Sequence, residues 1–158
     1  MLSNKEKVIV QSAADIACQL HKGQKDKAGV DYFTGHLSAV AKMGNTWQEQ
    51  VVGYLYDASE DTSNSVEEVL NLLDEKLESP LSEADREELA TALRLLNHHL
   101  SPDRETYIQR IKSNVLATKV KLHDLTHNMD LSRIPNLTQK DYERVERYKS
   151  EYDYLSRL

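Results

Sequence analysis

Residues that let a backbone turn sharply are scarce in this chain. Five glycines and three prolines among 158 residues disfavour a many-stranded sheet, which needs frequent tight turns, and favour long helices. A single cysteine, Cys18, can make no internal disulfide and fits a reducing compartment. In the pattern Ile16, Cys18, Leu20 its thiol reads as buried. No apolar run approaches the roughly 20 residues that cross a bilayer. Charges interrupt the opening MLSNKEKVIVQ before a signal-peptide core could form. An excess of positive charge is missing too: the formal net charge is −6, whereas a nucleic-acid polymer is held by clustered Lys and Arg. These absences point to a cytoplasmic protein that binds neither membrane nor nucleic-acid polymer. They leave room for a local basic pocket around a small phosphorylated ligand.

What the chain has in abundance is helix punctuation. Ser3-x-x-Glu6, Thr46-x-x-Glu49 and Ser65-x-x-Glu68 have the spacing of capping boxes, each opening an amphipathic run. Ser82-x-x-Asp85 and Thr138-x-x-Asp141 are weaker versions, and Ser101-Pro102 reads as a cap followed by a first-turn proline. Helices are expected near 4–22, 36–44, 46–59, 65–77, 82–99, 103–112, 114–129 and 138–157. Val66, Val69, Leu70 and Leu73, and then Leu89, Leu93, Leu96 and Leu100, recur at helical spacing and form stripes for packing. Three of the five glycines fall in GQKDKAGVDYFTG (23–35), the clearest loop, and RIPN (133–136) is the second. No repeat or linker interrupts the pattern. The expectation is one all-α domain over residues 1–158.

Two acidic concentrations stand out. In GYLYDASEDT (53–62), Asp57, Glu60 and Asp61 close an apolar helix at spacings of three and four, which would put them on one face. Acids there oppose the helix dipole and repel one another by a few tenths of a kcal/mol each, so roughly nothing is gained from them without a use. A bound cation or proton transfer would supply one; otherwise they simply begin a polar loop. In KLHDLTHNMD (121–130), Asp124, His127 and Asn128 share a helix face, a pattern of metal ligation or of an ordinary charged face. His36 follows the glycine-bearing loop at a helix start. His98 and His99, as neighbours within a helix, are expected to face different sides. Tyr148, Tyr152 and Leu155 recur at helical spacing and read as a closing helix.

The order of AADIACQLHKGQKDKAG (13–29), YFTGH (32–36), YLYDASEDT (54–62) and VKLHDLTHNMDL (120–131) resembles the HD-domain phosphohydrolases. The branch it looks like is the RelA/SpoT-type hydrolase domain and its stand-alone metazoan relatives, over about residues 8–150. The resemblance implies a helical bundle of seven to eight helices that removes the 3′-pyrophosphate of (p)ppGpp with Mn²⁺. It further implies that His36, Asp57 and Asp124 hold the ion and that Glu60 and Asp61 prepare the attacking water. Lys27 and Asn128 would contact the nucleotide. Such an ion supplies hydroxide near neutral pH and neutralises phosphate charge.

Two positions depart from the family pattern. Tyr56 stands where the histidine of the His-Asp pair is expected, and a neutral phenol is a far poorer ligand than imidazole. Asp26 stands where the tetraphosphate hydrolases carry an arginine. His123, beside Asp124, points about 100° away and is poorly placed to replace the missing imidazole. Two readings follow: a metal-dependent phosphohydrolase of a phosphorylated nucleotide, or a degenerate HD domain that binds a nucleotide or protein partner without catalysis. In the second, Tyr56 fills the lost ligand's space and its hydroxyl bonds Asp57 or Asp124.

Overall fold

Side-chain caps fix where the helices begin. The computed structural model describes residues 1–157. Ser3, Ser65 and Thr138 each form a reciprocal capping box, with Glu6, Glu68 and Asp141, at the starts of α1 (Asn4–Leu20), α5 (Val66–Lys76) and α9 (Gln139–Ser156). Thr46, Ser82 and Asn114 accept a backbone N–H at the starts of α3 (Trp47–Leu55), α6 (Glu83–Leu95) and α8 (Val115–Asn128). The expected cap at Ser101 is displaced by two residues: Asp103 accepts from Thr106 N at 2.7 Å and opens α7 (Arg104–Lys112). An ionised carboxylate is the stronger acceptor facing the positive end of a helix.

Between α1 and α3 the chain takes an irregular path. After the loop, a π-helical turn (Phe33–Leu37) leads directly into α2 (Ser38–Lys42). The loop is tied by one isolated bridge, Lys25 to Asp31, and among the described residues there is no strand. The expected helix at 46–59 breaks at Tyr56–Asp57 and resumes as the short α4 (Ala58–Asp61). The expected helix at 82–99 ends at Leu95, and His98–Leu100 form a 3₁₀ turn. A second 3₁₀ turn, Leu131–Arg133, follows α8.

The helices enclose one apolar core. Ile9, Ala13, Ile16 and Ala17 recur at 4, 3 and 1 along α1 and are buried against α3 and α5. Cys18 is exposed, not buried, because residues two apart lie on nearly opposite sides of a helix. The stripes of α5 and α6 pack on each other as their periodicity requires, except that Leu100, past the end of α6, is exposed. α8 runs through the centre, touching α2, α3, α6 and α7, and α9 covers α7 and α8. Among the described residues no helix is long and apolar enough to cross a membrane.

Candidate functional site

The break between α3 and α4 falls at the first of the clustered acids. Asp57, at φ −89° and ψ −6°, sits at the junction and is buried. Its side chain meets a cavity of about 230 Å³ lined also by Tyr32 from the loop, His36 from the π turn, Tyr56 from the end of α3, and Lys121, Asp124 and Asn128 from α8. His36, Asp57 and Asp124, far apart in sequence, thus share one cavity. Glu60, Lys27 and Asn128 line it as well. Asp61 does not: it is exposed and accepts from Gln24 Nε2 at 3.1 Å. Asp57 and Glu60 therefore face the cavity together, while Asp61, at the end of the same helical turn, faces outward.

Asp124 is the hub. Its Oδ1 accepts from the Tyr56 hydroxyl at 2.7 Å and from Asn128 Nδ2 at 3.1 Å, and lies 2.9 Å from His36 Nε2. Its Oδ2 accepts from Lys121 Nζ at 2.7 Å. Tyr56 is buried, and its hydroxyl also lies 2.6 Å from His36 Nε2, so the phenol oxygen occupies the point where imidazole and carboxylate converge. On its far side His36 Nδ1 meets His127 Nδ1 at 2.7 Å, so one of the two rings must carry the proton between them. Tyr32 donates its hydroxyl to Asp57 Oδ2.

These contacts separate the two buried acids electrostatically. Burial pushes the Asp124 carboxyl up, but Lys121 beside it and the hydrogen bond with His36 outweigh burial and hold it well below the usual carboxylate range. Burial also raises Asp57, the charges of Asp124, Glu60 and Asp61 raise it further, and the bond from Tyr32 offsets this only in part. Lys121 stays above its ordinary value because Asp124 overcomes its desolvation. Burial and the neighbouring carboxylates raise the Tyr56 and Tyr32 phenols, which remain neutral donors. Burial, Arg133 and His36 lower His127 to about 4.

The remaining candidates are placed less centrally. Asp26 does not reach across the cavity. Its Oδ1 accepts from Ala28 N at 2.8 Å and Val30 N at 3.0 Å, so the acid shapes the loop, and its Oδ2 faces Arg133. His123 does not line the cavity, as its 100° offset from Asp124 requires. Contrary to expectation the His98 and His99 rings meet, centroids 4.1 Å apart, because the 3₁₀ turn replaces the helix that would have separated them. Glu60 accepts from His98 N at 3.0 Å and pairs with its Nδ1.

Several lining residues are not among the candidates that the sequence singles out. Tyr32, Arg104, Tyr107 and Arg133 reach the cavity from segments remote from the acids. Tyr148, read as core, is buried but also lines the cavity. Lys121 was the detectable one, three residues before Asp124 on α8. Neither a family model nor a curated protein matches the chain.

Proposed function

We propose that this chain is an HD-type domain related to the (p)ppGpp hydrolases that binds a small phosphorylated nucleotide without metal-dependent turnover. The observation that carries this reading is the Tyr56 hydroxyl, 2.6 Å from His36 Nε2 and 2.7 Å from Asp124 Oδ1. Those two atoms belong to residues that the resemblance assigns to Mn²⁺. One imidazole and two carboxylates suit Mn²⁺ in kind. They do not suit it in placement, since two of the three converge on a phenol that burial and nearby carboxylates keep protonated.

The family's hydrolytic reaction is the second reading. It is favoured by His36, Asp57 and Asp124 lining one cavity, with Glu60 beside them. It requires the Tyr56 side chain to yield its place to the ion. Metal analysis of the purified protein, with pyrophosphate release from (p)ppGpp in excess Mn²⁺, decides between them. The binding reading expects no stoichiometric ion and no release, and turnover gained in Tyr56→His. Stoichiometric Mn²⁺ and release by the unaltered chain would establish the hydrolase instead.

A further inference from the structure

The buried acids and tyrosines make the floor of the cavity; three cations stand in its more exposed lining, with Glu60 the one acid as exposed as Arg133. Lys27 comes from the loop after α1, Arg104 from the first residue of α7 and Arg133 from the 3₁₀ turn after α8, and all three line the cavity. Lys27 is exposed, and Arg104 and Arg133 keep 37% and 18% of their side-chain surface, whereas His36, Tyr56, Asp57 and Asp124 are buried.

The donors of these three side chains are only partly used. Lys27 Nζ donates to the Tyr148 hydroxyl at 2.9 Å, so its hydrogen-bond partner is a phenol and not a carboxylate. Arg104 commits Nε and Nη2 to Glu151, at 2.9 and 2.8 Å, and Nη1 makes no hydrogen bond among the described residues. Arg133 reaches the His127 carbonyl at 3.2 Å and Asp26 Oδ2 at 3.4 Å, both long for a guanidinium. Its Nε is buried with no acceptor among the described residues. An unpaired buried donor is unfavourable, and the long contacts of the other guanidinium nitrogens leave them able to pair with an anion of several oxygens.

We infer that Arg133 and Arg104, together with Lys27, form a seat for a diphosphate group at the rim of this cavity. This rests on the phosphorylated-nucleotide reading above and adds which end of the ligand is held, and by what. Acids on the floor repel phosphate, so the anion stays under the rim cations. The size agrees: about 230 Å³ is less than the roughly 300–1,000 Å³ that encloses a whole small ligand. The cavity encloses a phosphoryl end and leaves the nucleoside at its opening. Asp26 competes with the ligand for Arg133, so a ligand with two anionic groups is favoured over one with a single charge.

The test is calorimetric titration of the full chain with inorganic pyrophosphate in metal-stripped buffer, and again with Mn²⁺ added. Arg133→Gln, which keeps a polar side chain, and Arg104→Lys, which keeps the charge but loses the fork, are titrated alongside, with folding checked by circular dichroism. The expected result is metal-free binding weakened at least tenfold in Arg133→Gln and severalfold in Arg104→Lys, with a smaller salt dependence in Arg133→Gln alone. Unchanged affinity in a folded Arg133→Gln overturns the seat and leaves the nucleotide reading standing. Absence of pyrophosphate binding in both buffers also overturns it. Binding only with Mn²⁺ overturns the metal-free reading, and Arg133→Gln in that buffer then judges the seat by itself.

Discussion

Removing one oxygen atom, in Tyr56→Phe, isolates what the phenol does. The ring would still fill its place in the core, but Asp124 Oδ1 would lose its 2.7 Å donor and His36 Nε2 its 2.6 Å neighbour. A buried hydrogen bond to a charged acceptor contributes more than a neutral one, so chemical denaturation should show a loss of about 1–3 kcal/mol. A filler without a polar role would give no loss. Asp57→Asn should act in the opposite direction. Asp57 is raised above its ordinary value of 3.8, so the folded state holds the proton more tightly than the unfolded state. Below about pH 4 both states are protonated and nothing is at stake; as pH rises toward the folded value, stability falls. Asn removes that pH-dependent penalty while keeping an acceptor for Tyr32, so Asp57→Asn should gain about 1–2 kcal/mol near pH 7. The gain should shrink toward pH 4 in denaturation series at the two pH values. Asp124 has the reverse sign: its depressed carboxyl adds stability above about pH 4 that is lost as pH falls through the folded value. The acids themselves were visible in the sequence because they cluster locally. Their opposite electrostatics were not, since Lys121 faces Asp124 alone and Tyr32 reaches Asp57 from 25 residues away.

Helices were the most legible level because their signals are local. A cap and the residue three positions on decide a helix start within one turn, and Ser3, Ser65 and Thr138 each form the expected box. Failures occur where a break has no local marker. Nothing in GYLYDASEDT announces the interruption at Asp57, and no periodic pattern specifies the π turn at Phe33–Leu37. Close approach between elements is equally silent. Gly53 lies where α3 crosses α2, and a Cβ there would come 2.8 Å from Ala41 Cα. Helix propensity favours Gly53→Ala by about 1 kcal/mol. The contact opposes it, because a backbone atom within a packed helix cannot move aside as a flexible side chain can. Overpacking of that kind costs about 1–3 kcal/mol. Thermal unfolding should therefore show Gly53→Ala destabilised; a higher melting temperature would mean that α2 can shift away from α3.

At the scale of the molecule, α9 ties the fold to the rim of the cavity. Tyr148 and Glu151 lie three residues apart on one face of that helix, and they hold Lys27 from the loop and Arg104 from α7. Its tyrosine and leucine spacing marks this helix in the sequence as closing the core, but its second role has no local signal. The partners are separated by 121 and 47 residues, and only the folded chain brings them together. Glu151→Gln tests whether the two roles draw on the same charge. The Arg104 pair is bidentate, but Arg104 is more than a third exposed, so solvent screening limits its contribution. The expected loss of stability is about 1 kcal/mol. The amide leaves the Arg104 charge uncompensated and free to turn toward an anion, so pyrophosphate should bind several times more tightly. Denaturation and calorimetry on the same variant should then move in opposite directions. A variant that is less stable but binds pyrophosphate no better would mean that Arg104 serves only to dock α7 against α9, and the seat would reduce to Lys27 and Arg133.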